Sequence, residues 1–347
     1  STGRTVFAKR FANERPKQRT PEIDPVHAWG LTFRFPLWNA AGMFKYGEGY
    51  EVVSRQGAGA YVAGTTTSRT RSGNIGKGIQ WPAVAYARSH SASNWMGLPN
   101  EGHAVVAKRL ASIEKAAGCP VGASVSSEPL LEETIAVAEL IDGMRLYAEA
   151  GVDYIELNES CPNVPGGHGG PALDEGLICR LEAVSSNFLK KRIRRLPVVV
   201  KFSVDTNLKQ LEDLLRMLVT LEFDGVILGN TSTQYAHHRH AIHSADRELY
   251  DAFTGTFGGG LSGAVLREDS LELVTRASEI LARMRPQHEF HVIRCGGINS
   301  ADDLKASARH GVHLNQWYTG FYERFGVDGH DVYAALAHNA NHGAGRH

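Results

Sequence analysis

The hydrophobic and polar positions of the chain repeat one pattern: an amphipathic segment, a glycine and then a short apolar run. Segments with helical periodicity at 48–56, 132–150, 208–222 and 301–310 are each followed by this glycine and by a run rich in apolar residues. Glycine ends a helix readily because it adopts the left-handed backbone conformation at little cost. Short runs rich in Val, Ile and Leu are typical of strands buried on both faces of a parallel sheet. The pattern therefore predicts alternating helices and parallel strands.

The apolar runs predict the architecture. They lie at 37–41, 60–63, 121–124, 154–157, 198–202, 225–228, 291–294 and 313–316. Strands of this number alternating with helices predict an α/β fold of the (β/α)8 barrel type, with a single domain over 26–347. A doubly wound open sheet is the alternative, since periodicity alone does not distinguish the two. Residues 1–25 are polar, with more basic than acidic side chains, and are predicted to form an N-terminal arm over the barrel.

The residues that follow the strands are unusually rich in small and amide side chains. In a (β/α)8 barrel these positions meet at one end of the barrel, where binding and catalytic groups lie. Glycines after the seventh strand, together with a helix that Asn299 or Ser300 could cap, suit a phosphate group held by backbone N–H donors. The pattern therefore predicts a phosphorylated cofactor or substrate. The strand-end residues are Gly42, Lys45, Gly64, Thr65, Ser124, Asn158, Lys201, Asn230, Thr231, Gly296, Gly297, Tyr318 and Thr319.

Composition narrows the class of protein. The 37 Lys and Arg residues balance the 37 Asp and Glu residues, so no net charge argues for a nucleic-acid partner. No run approaches the roughly 18 apolar residues of a membrane span, and the start "STGRTVFAKRF" lacks the apolar core of a signal peptide. Cys119, Cys161, Cys179 and Cys295 show no paired spacing of the kind that disulfide frameworks and zinc sites use. We therefore expect a cytoplasmic protein.

Cys161 lies in an unusual context, the stretch "NESCPNVPGG" at 158–167. A structural cysteine normally occupies an apolar core, whereas this one follows a strand and stands between asparagines and prolines. The stretch resembles the active-site loop of class 1 dihydroorotate dehydrogenases, and "SNWMGLPNEG" at 93–102 resembles their substrate loop. Further stretches resemble the class 2 branch of the same family, in family order along the chain: "NAAGMFKYGE" at 39–48, "AGTTT" at 63–67, "GGLSG" at 259–263 and "NQWYTG" at 315–320.

The resemblance implies an FMN enzyme that oxidises dihydroorotate to orotate in pyrimidine biosynthesis. It implies that Cys161 is the base that removes the proton from carbon five, while carbon six delivers hydride to nitrogen five of the flavin and Lys201 lies beside the flavin ring. The implied substrate-binding positions are Lys45, Asn94, Met96, Gly97, Leu98, Asn158, Asn163, Asn230 and Thr231. The implied FMN positions are Ala41, Gly42, Lys45, Thr65, Ser124, Asn158, Lys201, Ser262, Gly263, Gly296, Gly297, Tyr318 and Thr319.

These residue types suit the implied chemistry. A pyrimidine ring alternates hydrogen-bond donors and acceptors, and one asparagine side chain offers both. A lysine near the flavin favours its anionic reduced form, and another can hold the substrate carboxylate. A thiolate can remove a weakly acidic C–H proton if its neighbours keep its pKa near the working pH. The prolines restrict the loop and the direction of the sulfur.

The chain also departs from the family pattern. Glu159 replaces the usual Leu or Ile, and its carboxylate is expected either to raise the pKa of the neighbouring thiol or to pair with a local base. The class 1A lysine is absent at Gly64, and Lys45 takes its place. The arm is short for quinone-binding helices, and no cysteine cluster suggests an iron–sulfur centre. We therefore expect fumarate as the electron acceptor, then a quinone, then NAD through a partner subunit; a homodimer is left open.

Three other functions are alternatives to the oxidation of dihydroorotate. They are a related FMN oxidoreductase acting on another dihydropyrimidine such as dihydrouracil, a non-redox phosphate-binding barrel lyase or aldolase, and a non-catalytic barrel. The segment "HHRHAIH" at 237–243 invites a metal site, but no carboxylate or cysteine lies at ligand spacing in the sequence. We therefore predict no metal and a solvated or substrate-covering loop there.

Overall fold

Eight parallel strands form a barrel in the computed structural model, which describes residues 10–160, 162–163 and 173–341. Barrel strands that follow one another along the chain are hydrogen-bonded neighbours from the second strand to the last, and the last strand pairs with the first. A doubly wound sheet would reverse its strand order at a switch point, so that alternative is wrong and the (β/α)8 prediction is confirmed. All the predicted apolar runs coincide with strands: β1 (Leu37–Asn39), β2 (Tyr61–Thr66), β3 (Val121–Val125), β4 (Tyr154–Asn158), β5 (Val198–Phe202), β6 (Gly225–Leu228), β7 (His291–Cys295) and β8 (Leu314–Trp317).

The barrel closes between β1 and β2 through a side chain. The amide of the fully buried Asn39 donates to Val62 O at 2.8 Å, and Val62 N donates to Asn39 Oδ1 at 3.3 Å. Gly59 N donates to Leu37 O at 3.0 Å just before β2 begins. Asn39 therefore supplies hydrogen bonds that a continuous backbone ladder supplies elsewhere in the barrel.

The helices surround the barrel and bury one apolar face each. In the helix Leu211–Thr220, for example, four leucines are buried at the i, i+3, i+4 and i+7 spacing expected of an amphipathic helix: Leu211, Leu214, Leu215 and Leu218. The helices predicted from the sequence are present and begin and end within a few residues of the predicted positions. The helices are α1 (Tyr50–Gln56), α2 (His103–Ala111), α3 (Glu133–Glu149), α4 (Glu175–Asn187), α5 (Leu211–Thr220), α6 (Tyr235–His238), α7 (Arg247–Phe257), α8 (Arg267–Met284), α9 (Ala301–Arg309), α10 (Thr319–Asp328) and α11 (Val332–Asn341).

A hairpin closes the amino-terminal end of the barrel. It pairs Val26–Ala28 with Leu31–Phe33 in antiparallel register. Trp29 at its turn is buried, and its indole N–H donates to Asp224 O at 2.9 Å, immediately before β6. Because this end is plugged by aromatic side chains, a ligand site has to open at the carboxyl end of the strands.

The described part of the predicted N-terminal arm packs on the outside of the barrel. Phe11 is buried, with its ring 5.6 Å from those of Phe44 and Phe325. Residues 1–9 lie outside the described part of the chain, and the boundary of the arm at residue 25 stays a prediction. Across the described ranges, every helix is too short or too polar to cross a lipid bilayer.

A buried histidine joins α2 to the barrel. His103 Nδ1 lies 2.9 Å from Thr66 Oγ1 in β2, and the same hydroxyl lies 2.7 Å from Tyr147 OH in α3. Burial lowers the pKa of His103 to about 4, with a small opposing effect from Glu139. His103 Nε2 has no hydrogen-bond partner among the described residues, which suits a neutral ring.

This depressed pKa predicts that acid destabilises the fold through His103. Below pH ~6.5 the unfolded chain binds a proton at His103 that the folded protein does not bind until about pH 4. Stability from this residue is therefore full above pH ~6.5 and is lost as the pH falls toward 4, by about 2 kcal/mol between pH 7 and pH 5. Urea denaturation of the wild type and of His103→Gln at pH 7 and pH 5 gives the slope of the free energy of unfolding against pH for each protein. This slope should be smaller for His103→Gln.

The exposed His310→Gln variant serves as the control for this comparison and should keep the wild-type pH dependence. Equal slopes for His103→Gln and the wild type would show that His103 does not carry the effect.

Candidate active site

A cleft opens at the carboxyl end of the barrel, with about 980 Å³ of space that includes its open mouth. One wall includes the antiparallel strands Ser91–Asn94 and Gly260–Gly263, which pair with each other above the strand ends. The cleft brings together most of the residues predicted from the sequence: Ala41, Gly42, Lys45, Thr65, Asn94, Met96, Leu98, Asn158, Asn163, Asn230, Thr231, Ser262, Gly263, Gly296, Gly297, Tyr318 and Thr319.

The remaining predicted residues do not line the cleft surface. Gly97 lies between two residues that do, whereas Ser124 and Lys201 are buried beneath the floor. Direct contact of those two side chains with a ligand stays a prediction. Cys161 lies outside the described residues, although its chain neighbours Pro162 and Asn163 line the cleft.

Beneath the floor, five side chains from five different strands form one hydrogen-bonded network. Lys201 Nζ lies 3.5 Å from Glu156 Oε1 and donates to Gln316 Oε1 at 2.9 Å. Gln316 Nε2 in turn donates to Glu156 Oε2 at 2.9 Å. Ser124 Oγ donates to Glu156 Oε1 at 3.0 Å, and Thr65 Oγ1 lies 2.9 Å from Ser124 Oγ. The network leads from a buried ion pair to Thr65 at the cleft surface.

The network keeps a positive charge below the cleft. Burial by itself lowers the pKa of Lys201, but the neighbouring Cys295 sulfur and the Glu156 carboxylate more than offset this, so that the pKa of Lys201 lies above its ordinary value. Burial raises the pKa of Cys295, and the Lys201 charge opposes that rise only in part. Glu156 Oε1, 3.5 Å from Lys201 Nζ, is the carboxylate partner of the buried ammonium group.

The amides at the floor are fixed in orientation. Asn158 Nδ2 donates to Thr65 Oγ1 at 2.9 Å, and its Oδ1 accepts from Ser160 Oγ at 2.8 Å. Asn230 Nδ2 donates to the same Ser160 hydroxyl at 2.8 Å. Because each amide is bonded in one direction, the donors and acceptors that face the cleft are determined before any ligand enters.

Asn163 offers an unused acceptor to the cleft. Its Nδ2 donates to Asn94 Oδ1 at 3.1 Å, and its main-chain oxygen accepts from Asn74 Nδ2 at 2.9 Å. Its Oδ1 is buried but has no hydrogen-bond partner among the described residues. Buried acceptors without a partner are rare and costly, so a ligand N–H is a natural partner for this oxygen.

Glycine is required where the substrate loop bends back against its neighbour. Gly97 has φ +70°, and a Cβ built there would lie 2.2 Å from Asn74 Oδ1. Any side chain would displace the amide that supports Asn163. The loop 94–98 therefore needs this glycine to keep Met96 and Leu98 at the cleft.

The end of the cleft near β8 has the features of a phosphate site. Gly263 and Gly297 have φ +103° and φ +71°, and a Cβ at either would lie 2.5 Å or less from neighbouring backbone. Helix α10 begins at Thr319 without a side-chain cap, so N–H groups of its first turn can donate to an anion. Glu323 opposes an anion here, but its carboxylate is turned toward Asn299 Nδ2 at 3.3 Å and His90 Nδ1 at 3.4 Å.

Glu159 and Ser300, which flank the site, each have a defined partner in the structure. Glu159 pairs with a base: its Oε2 accepts from Arg180 Nε at 3.2 Å and Nη2 at 3.0 Å, with both side chains buried. The pair joins the chain after β4 to α4. Ser300 caps α9, and its hydroxyl and Asp303 form a reciprocal capping box.

Sequence reasoning missed Glu156 and Gln316. Both stand inside strands of the barrel, and both are fully buried. The available signal was a carboxylate in a run assigned to a strand buried on both faces, because such a charge has to be paired. The cleft is also lined by His90, Asn299 and Glu323, which follow no predicted strand end directly.

Comparisons with known proteins match one family along most of the chain. A family model described as dihydroorotate dehydrogenase matches residues 25–337. The chain is 30% identical over 306 residues to "Dihydroorotate dehydrogenase (quinone)" of Pseudarthrobacter chlorophenolicus, covering 85% of this chain and 79% of the relative. It is 31% identical over 303 residues to the protein of the same name from Vibrio parahaemolyticus, covering 86% and 82%.

The fold is similar to that of solved structures. The crystal structure of DHODH in complex with ferulenol from Eimeria tenella superposes with a TM-score of 0.77 at 20% identity, covering 97% of this chain and 89% of the other. The ligand-free DHODH structure from the same organism superposes with a TM-score of 0.76 at 21% identity. At this identity the likeness supports the barrel fold.

The buried pair predicts a large, partner-dependent cost of substitution. Glu156→Gln leaves the Lys201 ammonium buried without its anion and should lower the free energy of unfolding by about 3–5 kcal/mol. The double variant Glu156→Gln/Lys201→Gln removes both charges and should lose clearly less. Urea denaturation at pH 7 measures both, and Asp142→Asn, which removes the exposed partner of Arg145, should change stability little. A double variant that costs as much as Glu156→Gln alone, or more, would rule out the coupling.

Proposed function

The chain belongs to the dihydroorotate dehydrogenase family, and we propose that it oxidises dihydroorotate to orotate with bound FMN as the hydride acceptor, in pyrimidine biosynthesis. The observation that carries this proposal is the arrangement of the cleft. Asparagine amides and Lys45 line one part of it, and glycines with a helix N-terminus line the other. The first set suits a pyrimidine carboxylate, and the second suits the phosphate of a nucleotide cofactor.

FMN fits the residues that line the cleft. Gly263 and Gly297 line the cleft, and because they have no side chain the neighbouring backbone packs closely against them there. Thr319, whose hydroxyl lies 2.9 Å from Ser262 Oγ, adds donors beside them. When bound, FMN supplies the isoalloxazine ring that accepts hydride from a C–H bond. Lys201, kept charged by Glu156 beneath the floor, would stabilise negative charge on that ring when it is reduced.

The substrate would bind against the amide wall. Asn163 Oδ1, which lacks a partner among the described residues, can accept from a ring N–H. Asn94, Asn158 and Asn230 add further amide groups, and Lys45 supplies a cation for the carboxylate. Dihydrouracil has no carboxylate, so this wall favours dihydroorotate over that alternative. A lyase or aldolase has no need for this combination of amides and a buried cation.

We assign the base to Cys161 on the sequence motif, since the residue lies outside the described part of the chain. Its role would be to take the proton from carbon five of dihydroorotate. The Glu159 carboxylate, which could have raised the pKa of the thiol, is instead bonded to Arg180. The positive charge of Arg180 therefore compensates the negative charge of Glu159.

We propose a quinone as the electron acceptor, in place of the fumarate expected from the sequence. Fumarate was expected because the arm is short for quinone-binding helices. The relatives that align with most of this chain carry "quinone" in their names, and this supports a quinone instead. NAD through a partner subunit ranks behind a quinone.

The proposal predicts a yellow protein whose flavin is reduced by dihydroorotate. Denaturation should release about one FMN per chain, and dihydroorotate should bleach the flavin band under anaerobic conditions. Dihydrouracil, the control donor, should bleach it far more slowly because it lacks the carboxylate that Lys45 would hold. A colourless protein that FMN cannot reconstitute would contradict the proposal.

The same sample distinguishes the acceptors. After reduction, a short-chain ubiquinone should restore the flavin band rapidly, whereas fumarate should not. Faster reoxidation by fumarate would return the acceptor to the sequence-based expectation while leaving the reductive reaction intact.

The assignment of the base predicts a rate effect without loss of the cofactor. Cys161→Ala should bind FMN and orotate, yet its flavin reduction by dihydroorotate should slow by roughly 10²–10⁴-fold, the usual range for a positioned base. Cys161→Ser should retain some activity, shifted to higher pH, because a hydroxyl is the weaker acid. Stopped-flow absorbance measures this step without any acceptor. Cys179→Ala, which alters an exposed cysteine, is the control, and a wild-type rate in Cys161→Ala across pH would exclude Cys161 as the base.

A further inference from the structure

The long connection between β6 and β7 contains a cluster of metal-ligating side chains outside the cleft. His237 and His238 lie in α6, and Asp269 lies in the first turn of α8. The two His Nε2 atoms lie 3.7 and 3.6 Å from the same oxygen, Asp269 Oδ2. All the candidate ligand atoms lie within 4.8 Å of one another. The sequence analysis found no carboxylate partner at ligand spacing, because Asp269 belongs to another helix.

We propose that His237, His238 and Asp269 form a binding site for a divalent transition-metal ion such as Zn²⁺. A tetrahedral zinc ion with bonds of about 2.0–2.2 Å holds its ligand atoms roughly 3.3–3.5 Å apart. The His–Asp separations of 3.7 and 3.6 Å are only slightly longer, and with all ligand atoms within 4.8 Å of one another the side chains would close around an ion by rotating toward it. Two imidazoles and one carboxylate suit zinc and similar first-row ions better than Mg²⁺ or Ca²⁺, which prefer oxygen ligands.

The surroundings hold the His238 ring in place. His238 is buried, and its Nε2 also lies 2.9 Å from the hydroxyl of the buried Ser232. Ser232 in turn donates to Asp205 Oδ1 at 2.6 Å. These bonds position the ring beside Asp269, and a metal ion on Nε2 would replace the hydrogen bond to Ser232. His237 is 57% exposed, so the site is open to an ion and to water from one side.

An ion at this position would restrain one wall of the cleft. Ser232 exchanges two backbone hydrogen bonds of 2.9 Å with Leu261. Thr231 and Ser262, the chain neighbours of these two residues, both line the cleft. Joining α6 to α8 through the metal would therefore hold the segment that carries Thr231 against the strand Gly260–Gly263.

The test uses the full-length, tag-free protein, stripped with a chelator and titrated with Zn²⁺ against a chromophoric competitor. The wild type should bind Zn²⁺ specifically, and His237→Gln and Asp269→Asn should each weaken binding by roughly 10–100-fold or more. Both substituted residues are at least partly exposed, so the fold should be retained, as circular dichroism can verify. Zn²⁺ should also raise the Tm of the wild type and not that of these variants.

The controls separate this site from other metal-binding groups. His243→Gln lies in the same histidine-rich segment but outside the cluster, and it should bind Zn²⁺ as the wild type does. Cys161→Ser and Cys179→Ser should also retain binding, which excludes capture by thiols. Equal affinity in the wild type and the His237→Gln/Asp269→Asn double variant would overturn the proposal and leave the cluster as a histidine–aspartate ion pair. Because the readout is metal affinity, failure here leaves the proposed dihydroorotate chemistry untouched.

Discussion

The buried Lys201–Glu156 pair is the constraint on which the floor of the cleft depends. Neither charge reaches water, so each requires the other, and the remaining hydrogen-bonding capacity has to be met by polar neighbours. Gln316 and Ser124 meet it from two further strands. Burying two charges costs desolvation free energy that an apolar barrel interior would avoid. In return, the arrangement holds a positive charge at a fixed position beneath the cleft.

The network also explains why the amides above it are ordered without a ligand. Thr65 connects the buried pair to Asn158, and Ser160 connects Asn158 to Asn230. Each bond determines which end of an amide faces the cleft. The part of the wall left unsatisfied, Asn163 Oδ1, is therefore a selective acceptor rather than a loose polar group. Preorganised donors and acceptors of this kind are what binding and catalysis require.

The connection between β6 and β7 serves the cleft in a different way. It supplies Asn230 and Thr231 at its start and the strand Gly260–Gly263 near its middle. Long loops at this end of a (β/α)8 barrel adapt a common fold to a particular ligand. Here the loop returns to its own beginning through the Ser232–Leu261 bridge, and the histidine–aspartate cluster lies where α6 meets α8.

The sequence by itself determined the barrel strands and most members of the cleft. The eight strands and four of the helices were readable from local periodicity, and parallel strands bring their carboxyl ends together, so residues as distant as Gly42 and Thr319 could be assigned to one site. The tertiary structure alone decided the pairings: Glu156 with Lys201, Glu159 with Arg180, and Asp269 with the histidines of α6. Strand-end positions follow from a repeating backbone geometry, which a sequence pattern records. A contact between two side chains depends on rotamers and on the packing of elements far apart in the chain, and no local pattern contains that information.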